Sequence, residues 1–142
     1  MNKIRRGISA IIFFEDNEGK KKFLLLKRKQ NWKGWEFLKG GRKKGEDEWA
    51  ALKREIKEET GLGRFSAKKT RFIQEFNYKK EYKKDNKKWD GARNRIFLVE
   101  VFDKKIKTDK IEHSGFKWAS KKEALKMLTW KDYRRIFRQI KI

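Results

Sequence analysis

The chain has 142 residues, 37% hydrophobic and 44% charged, with 42 Lys and Arg against 20 Asp and Glu for a formal charge of +22. No apolar run approaches the roughly 18 residues of a membrane span, so no membrane partner is expected; the absence of cysteine excludes disulfides and thiolate metal sites. Aromatic residues at 14% exclude a disordered polycation, and the length fits one domain over residues 1–142.

Gly7 to Phe14 is an apolar run with β-branched and aromatic members, followed by the turn sequence Glu15-Asp16-Asn17-Glu18-Gly19. With Phe23 to Lys29 it predicts a β-hairpin. Trp35, Phe37 and Leu38 precede the pair Gly40-Gly41. Glu46 to Thr60 has helical periodicity and stops at Gly61, a residue suited to a left-handed helix end. Strands are predicted for Phe65 to Phe76 and Arg95 to Phe102, with the polar, Lys-rich stretch Lys79 to Asn94 as a solvated hairpin tip. A short strand over Phe116-Lys117-Trp118 and helices over Lys121 to Leu128 and Trp130 to Ile140 complete the pattern. The last helix gathers Tyr133, Ile136, Phe137 and Ile140 on one face. The order is that of a mixed α/β fold.

The opening MNKIRRGISAIIFF has no small-residue cleavage site before the next charges, so it does not read as a signal peptide, and a cytoplasmic protein is expected. The positive charge fits either an anionic partner, nucleotide or nucleic acid, or a Lys-rich solvated surface.

One segment runs against this charge. Glu46 to Glu59 holds six acids (Glu46, Asp47, Glu48, Glu55, Glu58, Glu59) and three bases (Lys53, Arg54, Lys57). At about 100° per residue, Glu48, Glu55, Glu58 and Glu59 share one arc. Trp49, Leu52 and Ile56 form an apolar stripe beside it, with the bases toward the far side. Like charges on one arc repel. A divalent cation would relieve that repulsion, and oxygen-only ligands suit Mg²⁺ or Mn²⁺. An ordinary solvated helix face with an Arg54–Glu58 pair is the alternative reading.

The spacing from Gly40 to Leu62 is G-x5-E-x7-R-E-U-x-E-E-x-G-U, with U a bulky apolar residue. This resembles the Nudix box at every fixed position. The resemblance implies an α/β/α sandwich with a mixed central sheet, a catalytic loop-helix-loop and C-terminal helices. It implies a Mg²⁺- or Mn²⁺-dependent pyrophosphohydrolase of nucleoside polyphosphates. Glu55, Glu58 and Glu59 would be the metal-binding and catalytic set, joined by the backbone carbonyl of Lys39. Gly40, Glu46, Arg54 and Gly61 would shape the motif, Arg54 and Glu46 by charge pairing.

Trp35-Glu36-Phe37-Leu38-Lys39-Gly40 and Glu112-His113 with Phe116-Lys117-Trp118 further resemble segments of the asymmetric diadenosine tetraphosphate hydrolases, with Leu38 in place of their usual Pro. On that likeness Glu112 is an added metal ligand, and Lys39, Lys80, Tyr82 and His113 contact substrate. Aromatic faces such as Tyr82 suit base stacking. A dinucleoside polyphosphate such as diadenosine tetraphosphate is the first substrate expected. Removal of phosphates or caps from RNA 5′ ends is the alternative, because the basic 79–94 stretch suits a longer polyanion. Sanitation of oxidised nucleoside triphosphates and a non-catalytic nucleotide- or RNA-binding module are further readings. A monomer or homodimer is expected.

Overall fold

The continuous apolar run near the N-terminus forms β1 (Ile4–Glu15), a strand covered on both faces and placed at the centre of the sheet. The computed structural model describes residues 3–29, 33–78, 88–107 and 113–142. A tight turn leads into β2 (Lys21–Arg28), antiparallel to β1. Asp16 builds that turn, its Oδ1 accepting from the backbone N–H of Glu18 and of Lys20, both at 2.9 Å. Gly19 takes the positive φ of 79° that the reversal needs.

Two short strands follow, β3 (Gly34–Glu36) and β4 (Leu38–Gly41). The sequence had not indicated either, since three and four residues carry too little alternation. β3 pairs with β2 and β4 pairs with β1, so the chain crosses the sheet over Phe37. The helix α1 (Glu48–Thr60) comes next, then β5 (Phe65–Asn77), β6 (Gly91–Val101), β7 (His113–Ala119), α2 (Lys121–Met127) and α3 (Lys131–Gln139). The mixed sheet runs β3-β2-β1-β6-β5, with β7 on β2 and β4 on β1; β6 is parallel to β1. β6 begins at Gly91, four residues before the expected Arg95. β7 likewise extends the expected three residues to seven.

Alternation along β1 divides the core. Ile8, Ala10 and Ile12 face α1 together with Leu24, Leu26, Leu52, Ile56, Phe97 and Val99. Ile11 and Phe13 face the other way, against Phe23, Leu25, Phe37, Tyr133, Ile136 and Phe137. Helices therefore cover both faces of the sheet, as expected of an α/β/α sandwich. The predicted face of the last helix is buried, Ile140 included. Trp49 departs from the expected stripe. It is 48% exposed and rests edge-on against Phe97 at 4.9 Å, because it lies in the first helical turn, at the rim of the sheet.

Candidate active site

Asp47 starts α1 by accepting the N–H of Ala50 at 2.8 Å. Gly61 ends it in the left-handed conformation, φ 76°, with its N–H on the Lys57 carbonyl. The helix thus begins two residues later than expected, and Glu46 lies in the loop before it. The apolar side of α1 packs on β1 and β4, which draws the adjoining acids inward. Glu55 and Glu59 are buried, while Glu58 stays open to solvent.

Arg54 does not point to the far side, as its helical angle had implied. Its long side chain folds back and gives the guanidinium five hydrogen bonds to four residues. Nε and Nη2 form a fork on Glu46 at 2.8 and 2.9 Å. Nη2 also donates to the Gly41 carbonyl at 2.8 Å, and Nη1 donates to Glu55 at 2.8 Å and Glu58 at 3.3 Å. One side chain thereby binds loop, strand and helix together, with the planar geometry that only Arg supplies. Glu46 is further held by the backbone N–H of Lys43 at 2.7 Å. The Arg54 hydrogen bonds, with that of Lys43, hold its carboxyl down at about 2. The Arg42 side chain donates to the Glu46 carbonyl at 3.0 and 2.8 Å, so it serves the loop.

Gly40 provides the space for Glu55. A Cβ there would lie 2.1 Å from the Glu55 Cδ and within 2.5 Å of both carboxylate oxygens. Burial pushes the Glu55 carboxyl up to about 7 against the pull of Arg54, helped by repulsion from Glu58 and Glu59. Its proton affinity is thereby matched to neutral pH.

Behind Glu59 lies a buried charged cluster. Glu36 on β3 is 0% exposed and His113 on β7 is 3% exposed. His113 Nε2 donates to Glu36 at 2.8 Å, and its Nδ1 faces Glu59 Oε2 at 3.3 Å. Arg28 and Lys39 approach Glu36 at 3.3 and 3.5 Å. Burial would lower the imidazole's affinity for protons, but the neighbouring carboxylates, Glu36 first, raise it to about 9. Burial pushes Glu36 the other way, yet Lys39, His113 and Arg28 together hold it below its ordinary value. His113 therefore sits inside the fold between two carboxylates, rather than open to a substrate as the sequence had implied. The Lys39 ammonium is likewise turned to Glu36 and lies 4.6 Å above the Phe76 ring. Glu36 was missed as a functional candidate. Its one sequence signal is an acid between two aromatics, Trp35 and Phe37. Lys80, Tyr82 and Glu112 lie outside the described residues.

The oxygen donors on α1 suit a hard cation in kind. The carboxylate nested against Gly40 supports the fit. Among the described residues no three acidic or imidazole groups converge into a cluster that could hold a metal, so the structure does not gather Glu55, Glu58 and Glu59 into one.

The chain matches the NUDIX domain family over residues 4–140. It belongs to the Nudix family. Two curated relatives are named RNA pyrophosphohydrolase. That of Nitratiruptor is 30% identical over 105 residues, 70% of this chain and 64% of the relative, so the chain spans somewhat under two thirds of that protein. That of Pelagibacter ubique is 30% identical over 126 residues, 81% of this chain and 75% of the relative. Among solved structures, a C. elegans Ap4A hydrolase binary complex superposes with a TM-score of 0.76 at 22% identity, over 95% of this chain and 93% of that one. This Nudix chain thus shares its fold with a diadenosine tetraphosphate hydrolase, as the sequence segments implied.

Proposed function

We propose that this Nudix protein is a Mg²⁺- or Mn²⁺-dependent pyrophosphohydrolase that cleaves a phosphoanhydride bond at the 5′ end of RNA. The observation that carries the hydrolase reading is the set Glu55, Glu58 and Glu59 on one helix, fastened to the glycine loop by Arg54. Glu55, Glu58, Glu59 and the Lys39 carbonyl are the groups that would hold the cation, with Glu112 as a further candidate. When bound, the cation neutralises phosphate charge and makes water a stronger nucleophile. Glu55, whose carboxyl burial pushes up, is the group to take a proton from water if it does not itself hold the cation. Arg54 keeps its carboxylate in position, and the absent side chain of Gly40 leaves the room it occupies. RNA as substrate is supported by the names of the two relatives and by the charge of +22, which favours a long polyanion.

A dinucleoside polyphosphate is the second reading, favoured by the Trp35 to Gly40 and Glu112-His113 segments. Both substrates present the same bond to the same acids, so the comparison is one of relative kcat/KM. Triphosphorylated RNA, diadenosine tetraphosphate and nucleoside triphosphates are incubated with protein and Mg²⁺, and the products are separated by chromatography. RNA is expected to give the highest kcat/KM and the steepest fall with salt. Higher kcat/KM on the dinucleotide would favour the second reading. Glu59→Gln and EDTA should each stop turnover. Absence of product from every substrate would overturn the hydrolase reading and leave a nucleotide-binding module.

A further inference from the structure

The cluster behind Glu59 is expensive. Glu36 and His113 are almost wholly enclosed, and charges so placed persist only when paired and hydrogen-bonded. An aliphatic trio of similar volume would hold β3, β7 and α1 together at no such cost. What the charged arrangement adds is direction. Glu36 is anchored from several sides, by Arg28 at 3.3 Å, Lys39 at 3.5 Å and His113 Nε2 at 2.8 Å. That anchor fixes the plane of the imidazole and turns Nδ1 to Glu59 Oε2 at 3.3 Å. Both ring nitrogens face carboxylate oxygens. The contact to Glu59 is longer than that to Glu36 and off the direction of a good hydrogen bond, since neither Nδ1 nor Glu59 Oε2 has a hydrogen-bond partner. The Glu36 side of the bridge is therefore closed, and the Glu59 side stands ready to tighten.

We propose that His113, held by Glu36, is a positioning residue that sets the Glu59 carboxylate for the divalent cation, through the buried bridge Glu36–His113–Glu59. The inference rests on the metal role proposed above for Glu59. His113 touches neither cation nor substrate; it acts from behind the ligand, as outer-shell partners of metal-binding carboxylates do. The bridge spans three elements remote in sequence, so the sheet edge at β3 and β7 sets the position of a helix side chain.

Two amide substitutions separate the two halves of the imidazole. In His113→Asn the amide nitrogen takes the place of Nδ1 and keeps the donor to Glu59. In His113→Gln it takes the place of Nε2 and keeps only the donor to Glu36. Mn²⁺ binding without substrate is followed by electron paramagnetic resonance of the free ion, alongside thermal melting. His113→Gln is expected to weaken Mn²⁺ by about 10-fold or more, the usual loss for an outer-shell partner. His113→Asn keeps the donor but loses the Glu36 anchor, so its loss should fall between wild type and His113→Gln. Steady-state kinetics should show the defect of His113→Gln in kcat at limiting metal, recovering as metal is raised, with KM for substrate little changed. Wild-type affinity in His113→Gln, or a loss in His113→Asn greater than that in His113→Gln, would overturn the proposal and leave His113 a packing group.

The second measurement needs no variant. His113 is the only histidine in the chain, so its side-chain ¹⁵N resonances are unambiguous. They should shift on titration with diamagnetic Mg²⁺, Nδ1 more than Nε2. Resonances unmoved at saturating Mg²⁺ would also overturn the bridge. Wild-type protein that takes up no Mn²⁺ at all would instead remove the metal reading itself, and the proposal with it.

Discussion

Gly40→Ala isolates the geometry of the site from the stability of the fold. The new Cβ would stand 2.1 Å from the Glu55 Cδ, against an ordinary carbon–carbon separation of about 3.5 Å, so the carboxylate must withdraw by about 1.4 Å. It can do so, because it is the far end of a flexible side chain. The withdrawal stretches the 2.8 Å bond from Arg54 Nη1 and moves the proposed base off its position. A displacement near 1 Å in a reacting group costs about 100-fold, which is about 2.7 kcal/mol of transition-state stabilisation. Folding should suffer far less. Gly40 has no positive φ, so alanine strains no backbone, and its stiffer unfolded chain returns about 0.5–1 kcal/mol. The assay pairs kcat/KM on triphosphorylated RNA with thermal melting. The expected result is about 100-fold lower kcat/KM with Tm changed by no more than a few degrees. Turnover within threefold of wild type would refute the reasoning, as would a Tm loss above about 10 °C.

Gly7→Ala makes the opposite case, for its Cβ would meet the Gly40 carbonyl oxygen at 2.3 Å and Asn94 Oδ1 at 2.6 Å, backbone and buried amide that cannot retreat. Overpacking of about 3 kcal/mol is expected, visible as a lowered denaturant midpoint; an unchanged midpoint would contradict it. Arg54→Lys keeps the charge but cannot reach Glu46, Gly41, Glu55 and Glu58 together, so kcat/KM should fall about 10- to 100-fold while Lys53→Arg, a neighbour outside this network, leaves it unchanged. The Glu46 carboxyl is held at about 2, below its ordinary 4.5, so the folded state favours its charged form. Its contribution to stability is fully present above pH 4.5 and is lost as the pH falls toward 2. Glu46→Gln should flatten the stability curve in that window and nowhere else, read by urea unfolding at intervals from pH 2 to 6.

Much of this was open to reading in the chain because it is local. The Gly40 to Leu62 spacing marked the helix, its C-terminal glycine and its three acids, since fixed spacing on one helix sets neighbours directly. The period of Tyr133, Ile136, Phe137 and Ile140 likewise marked a buried helix face. What stayed hidden depends on pairing between distant segments. Nothing in Leu38–Gly41 announces that it lies beside Gly7 to Ala10, or that β6 runs parallel to β1. The partners of His113 were hidden for the same reason: they are 77 positions away at Glu36 and on α1 at Glu59. Arg54 was misplaced because a helical wheel fixes the Cα–Cβ direction and ignores the reach of a guanidinium.

At the far end of the sheet, β5 pairs among the described residues with β6 alone, and a strand edge of that kind presents a row of backbone donors and acceptors to a second molecule. The strand interrupts that row. Its register slips between Lys69 and Ile73, and Thr70 Oγ1 donates to the Ile96 carbonyl at 2.6 Å where the ladder breaks. Lys68 and Arg71 add cations to the same stretch, while Lys69 is paired with Glu48 at 2.6 Å. A kinked border that carries like charges raises the cost of pairing edge to edge with another copy, a use for part of the positive charge that needs no polyanion.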